Sequence, residues 1–379
     1  MDESFDLAAV PGHIQEQLAP HLAELSRPPV PPFRPPPGLG EQAAACQAAS
    51  LLTITSDGEQ QRVFVHRWTA TALAGRAARE PGQQLARAHR QAAAYWQWRV
   101  QAWPQDLAAD VHDRLEARHH LLQAGDTEDA GQVTEQACSQ LHTWGAWDQE
   151  ASLIHDTLAR LPAGSPRQAA WIHQLGIIAQ DRGDYDEAAR QYQRSLDIDE
   201  RLGDQAGMAG SYHQLGVLAQ ARGDYDEAAR QYQRALDISE RIGDQAGTAR
   251  SYHGLGLIVQ HRGDYDEAAR QYQRALDIFE RLGDQAGMAT SYSQLGNLEK
   301  DRGGPAAAAI TWHVKALAIR LRLGSPQAQN NLRHLADYRS GTGPGPFTGI
   351  LAHAAASPDL AEAITALLDQ LDNTDDTTA

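Results

Sequence analysis

Between residues 166 and 325 apolar and polar positions follow a helical period, and the whole pattern returns every forty residues. The segment DYDEAARQYQRSLDIDERLGDQAG, residues 184–207, recurs forty residues later as DYDEAARQYQRALDISERIGDQAG, and again from Asp264 with two fresh changes. The other half of the unit repeats as WIHQLGIIAQDRG, SYHQLGVLAQARG, SYHGLGLIVQHRG and SYSQLGNLEKDRG, with Gly176, Gly216, Gly256 and Gly296 marking the interval. Ala188, Tyr192, Ser195 and Leu196 share one helical face, and Ala235 and Ala275 keep the Ser195 position small. Asp184, Asp224 and Asp264 stand three residues before Glu187, Glu227 and Glu267. That D-x-x-E spacing predicts a helix start whose Asp accepts from an orphan backbone N–H. Gly203, Gly243 and Gly283 follow an arginine and predict left-handed helix ends, and Asp204, Asp244 and Asp284 then cap the next helix. Each unit is therefore two helices. Neither buries its apolar stripe alone, so the units must stack, with at least about three needed for stability.

Outside the repeats the pattern is less regular. Residues 81–165 predict helices at LARAHRQAAAYWQWRVQAW, VHDRLEARHHLLQAGD, TEDAGQVTEQACSQLHTW and WDQEASLIHDTLARLP, read as degenerate hairpins with their tryptophans used for packing. In residues 1–80, LLTITS (51–56) and QRVFVH (61–66) alternate as strands around a Ser-Asp-Gly-Glu-Gln turn. Helices are expected at 14–25, 41–49 and 68–78, which together suggest a small winged-helix-like module. Seven prolines in RPPVPPFRPPPG (27–38) favour an extended loop inside it. Residues 326–379 are read as C-terminal capping helices and an acidic tail.

Charge narrows the function classes. The formal net charge is −16, yet residues 161–358 hold 23 acidic against 21 basic side chains. Without clustered positive charge, no nucleic-acid footprint is expected. No apolar run approaches the roughly 20 residues that span a bilayer, so no membrane partner is expected. The N-terminus lacks a secretory pattern, and Cys46 and Cys138 have no C-x-x-C partner, which fits a cytoplasmic setting. A P-loop requires a lysine after glycine and before Ser or Thr. Lys300 and Lys315 are the only lysines, and neither is so placed. His173, His213 and His253 recur at the period, but on stacked helices about 8–10 Å apart they cannot share a zinc ion with bonds of about 2 Å. No catalytic residue, cofactor or metal is expected.

Tyr212, Leu215, Gly216, Ala219, Ala228, Tyr232 and Ala235 carry a spacing that resembles the tetratricopeptide pattern. The unit of forty residues is similar to the longer variety found in kinesin light chains and many bacterial signalling proteins. The resemblance covers residues 166–325 as four units; in the fourth, Gly304-Pro305 replaces Asp-Tyr and one residue is inserted before Ala316-Leu317. It implies an all-α fold, a right-handed solenoid of antiparallel helix pairs whose first helices line a concave groove. Carried across by position, the groove residues are His173, Gln174, Gln180, His213, Gln214, Gln220, His253, Gln260, His261, Gln294, Asn297 and Lys300, long polar groups suited to holding a peptide or partner protein. Ser293, Asn297 and Lys300 break the His/Gln pattern at one end. The stretch LLTITSDGEQQRVFVHRWTATAL and the linker after it resemble the region that precedes the repeats in bacterial STAND proteins, here without the ATPase core. That resemblance implies a monomeric or weakly self-associating sensor or scaffold module. The alternatives are a self-assembling adaptor and a transcription regulator using residues 1–80 on DNA.

Overall fold

A computed structural model describes residues 52–57, 60–65, 82–102 and 107–375. The chain divides into two compact units, residues 1–153 and 154–379. In the first, β1 (Leu52–Asp57) and β2 (Gln60–Val65) form an antiparallel hairpin in which Leu52 faces Val65 and Asp57 faces Gln60. Ser56, Asp57 and Gln60, three of the five residues expected in the turn, are paired in the strands. The winged-helix reading has no further support: the helices expected at 14–25, 41–49 and 68–78 and the proline-rich 27–38 lie outside the described residues.

Three helices follow, α1 (Gly82–Ala102), α2 (Leu107–Ala124) and α3 (Thr127–Thr143). Ala93, Ala117, Leu121, Ala130 and Val133 form their core, with Trp96 packed against it. Trp144, expected to pack, is instead 38% exposed. Arg99 is buried between Asp110, at 2.8 Å, and Asp113. A buried guanidinium requires such partners, since a lone one costs several kcal/mol.

Helix α4 (Trp147–Leu158) crosses the boundary, and the second unit continues as four helix pairs. These are α5 (Pro166–Asp181) with α6 (Tyr185–Leu202), α7 (Gln205–Ala221) with α8 (Tyr225–Ile242), α9 (Gln245–His261) with α10 (Tyr265–Leu282), and α11 (Gln285–Asp301) with α12 (Ala306–Arg322). Each second helix packs on the first helix of the next pair, so the sequence order is also the stacking order. The caps sit where the sequence places them. Asp184, Asp224 and Asp264 accept from the N–H of Glu187, Glu227 and Glu267 at 3.0–3.1 Å. Asp204, Asp244 and Asp284 accept from Gly207, Gly247 and Gly287 at 3.0–3.1 Å. Gly203, Gly243 and Gly283 close the second helices at φ 71°, 75° and 69°, a backbone region that only glycine enters without strain. The glutamates of the D-x-x-E spacing do not fold back to the cap. Glu187 pairs with Arg190 and Gln191 one turn on.

Inside each pair a tyrosine is wedged against glycine. Tyr192, Tyr232 and Tyr272 are 0–2% exposed. A methyl group added at Gly176, Gly216 or Gly256 would lie 2.5–2.8 Å from the facing ring. Tyr232 also abuts Gly254 of the following pair, so one ring ties two units together. In the fourth pair the inserted residue brings His313, fully buried, to the place against Gly296 that tyrosine holds elsewhere. Asn331 of α13 (Ala328–Thr342) then bonds to His313 Nδ1 at 3.1 Å, to Ser293 at 2.9 Å and to Arg320. Helices α13, α14 (Pro344–Ala354) and α15 (Pro358–Asp375) close the stack over Ile310, Val314 and Leu317.

Candidate functional site

Three cavities of about 300, 310 and 370 Å³ lie along the second unit, where the first helices of successive pairs meet the C-terminal turns of the second helices. His173 borders the first and second, His213 the second and third, and His253 the third. The imidazoles form a ladder, each tilted over a core tyrosine, with ring centres 5.0, 5.3 and 5.4 Å apart. Burial holds all three neutral, lowering His213 and His253 to about 4. For His213 the positive charge of Arg250 adds to that effect.

The inner nitrogen of each imidazole faces away from solvent. His173 Nδ1 lies 3.4 Å from Ser211 Oγ, while Nδ1 of His213 and His253 is buried without a partner. A bare lone pair is the more tolerable buried group, which places the proton on the outer Nε2. The ladder is thus a row of neutral imidazoles bordering the cavities.

The twelve groove residues inferred from position divide into two groups. His173, His213, His253 and Gln214 line cavities. Gln180, Gln220 and Gln260 accept from the hydroxyls of Tyr192, Tyr232 and Tyr272 at 3.2, 3.0 and 2.6 Å. A buried phenol needs an acceptor, and these amides sit opposite it. Lys300 pairs with Asp337 at 3.5 Å, Asn297 bonds to Gln294 at 3.2 Å, and His261 stacks on Tyr225 with ring centres 3.7 Å apart. Gln174 is half-buried and does not border the three cavities.

Four groups that line the cavities were not read from the pattern: Asp199, Ser239, Arg250 and Arg320. Their signal was present, since each departs from its counterpart in the neighbouring units. Asp199 is 3% exposed. Burial, reinforced by Asp204, raises its carboxyl to about 6 against the opposing hydrogen bond from Ser195. Cys138 is buried in the first unit and its thiol is pushed up to about 12, which removes it as a nucleophile at neutral pH. Among the described residues no group of three or more His, Cys, Asp or Glu could hold a metal ion, and no helix is long and apolar enough to cross a membrane.

Stacked antiparallel helix pairs with a row of solvent-open cavities along them define a helical-repeat protein. A tetratricopeptide repeat model matches residues 167–241, 207–281 and 247–322, the repeated part of the chain. No curated protein is similar enough in sequence to match. Among solved structures, the apo form of RapI is 13% identical with a TM-score of 0.52, over 76% of this chain and 99% of that one. A STAND protein with a tetratricopeptide repeat sensor, PH0952 from Pyrococcus horikoshii, is 15% identical with a TM-score of 0.51. That alignment covers 99% of this chain but 63% of the STAND protein, so this chain spans less than two thirds of its length. BtubC (BKLC) from P. vanneervenii is 19% identical over 65% of this chain and 93% of its own, with a TM-score of 0.40. For RapI and the STAND protein the likeness, at these identities, is one of fold.

Proposed function

We propose that residues 166–325 hold an extended segment of a partner protein along the imidazole ladder, and that the chain acts as a non-catalytic sensor or scaffold in a bacterial regulatory system. The observation that carries the reading is the run of adjoining cavities lined by His173, His213 and His253. A run of adjoining cavities that mixes apolar walls with neutral imidazoles suits the backbone and side chains of an extended chain. Tetratricopeptide repeats as a family bind rather than catalyse, and likeness to the repeat sensor of a STAND protein supports the regulatory setting.

The test is a photo-crosslinking amino acid placed at Gln214, bordering the middle cavity, or at Asp237, exposed on a second helix. In cells that express the protein natively, crosslinks are expected from position 214 and not from 237. Equal labelling from both positions, or none from 214, removes the groove as the binding surface. Self-assembly has one observation in its favour: Leu202, Ile242 and Leu282 form a periodic row of aliphatics 39–46% exposed. Light scattering that shows mass growing with concentration would select it.

A further inference from the structure

The repeats are nearly identical, yet the position where each second helix floors the groove runs Asp199, Ser239, Phe279, Arg320. All four are 0–7% exposed, and all four line one of the three cavities. The floor therefore passes from an anion through two neutral groups to a cation. At the first end Asp199 has a hydroxyl contact from Ser195 at 3.4 Å and no cationic partner. Asp204 shares that cavity but is engaged as the cap of α7. At the other end Arg320 bonds to Asn331 and to the carbonyl of Gln327, with no carboxylate against it. Arg250 reaches the same cavity and is exposed, while Asp284, which also lines it, is engaged as the cap of α11. Two uncompensated buried charges of opposite sign are costly in the empty protein, and a bound group of the complementary sign offsets that cost.

We propose that the groove reads charge order: it seats an extended peptide segment whose cationic side chain enters the Asp199 cavity and whose carboxylate reaches Arg250 and Arg320. This rests on the groove reading given above and specifies its ligand. Three units at about 10 Å each separate the two ends by about 30 Å, or about nine residues of extended chain. A small zwitterion cannot span that distance.

The repeats themselves supply the variants. Asp199→Ser installs the residue of the second unit and Arg250→Thr that of the fourth, each already accommodated in the same fold. The full chain is screened against a displayed library of random dodecapeptides. Selected sequences are then synthesised and titrated by fluorescence anisotropy against the wild type and both variants. Enriched peptides are expected to carry a basic and an acidic residue about nine apart. Asp199→Ser and Arg250→Thr are each expected to weaken binding about tenfold, and to do so only for peptides retaining the matching charge. Peptides that bind without the charge pair, or with affinities neither variant moves, overturn the charge-order inference while leaving the groove in use. A library that yields no binder at all removes the groove reading and this inference together.

Discussion

Asp199 and the histidine ladder pull stability in opposite directions with pH. Asp199 has its carboxyl raised above the ordinary value, so the folded chain holds a proton that the unfolded chain releases between about pH 4 and 6. Stability from this group falls as pH rises through that window. His213 and His253, lowered to about 4, and His313, lowered to about 3, do the reverse. The unfolded chain takes up protons below about pH 6.5 while the fold refuses them, so stability is lost on acidification. Three imidazoles shifted further than one carboxyl decide the sign. Chemical denaturation is expected to show a net loss of stability from pH 6.5 to 4. Asp199→Ser is expected to gain about 1–2 kcal/mol at pH 7, with the gain fading by pH 4. A variant equally stable to the wild type at pH 7 would show that Asp199 is already compensated.

At the scale of helices, the tyrosine–glycine wedge decides how close the two members of a pair approach. Two effects compete in Gly216→Ala. Helix propensity favours alanine by about 1 kcal/mol. Against it, the new methyl would sit 2.8 Å from the ring of Tyr232, which is 2% exposed and also pressed by Gly254. Overpacking of that kind costs about 1–3 kcal/mol, so the net expectation is destabilisation, read as a lower midpoint in thermal melts. An unchanged or higher midpoint would mean that the pair separates without cost. The same wedge gives three of the expected groove glutamines a role inside the pair. Gln180, Gln220 and Gln260 look like free polar positions on a first helix, and only the placement of the second helix reveals the phenol each one serves.

For the second unit as a whole, repetition gives every internal pair a neighbour on each side, and the ends need different solutions. Helices α13–α15 cover Ile310, Val314 and Leu317 with Leu332, Leu335, Phe347, Leu351, Ile364 and Leu368. Truncation after residue 325 strips that cover and leaves Arg320 without Asn331. The shortened chain is expected to aggregate or to melt well below the full one. A truncated chain that stays monomeric at the same melting temperature would mean the four pairs close themselves.

The sequence alone determined the helix pairs, their caps and their stacking order, because these are set by contacts a few residues apart and then copied at a forty-residue interval. It also exposed the differences between copies, though not their meaning. Which polar side chains face the cavities, which ones serve a neighbouring phenol, and where Asp199 and Arg320 fall along one floor were decided only by tertiary structure. Those relations join residues of different helices, and the distance between helix faces is fixed by packing rather than by any local pattern.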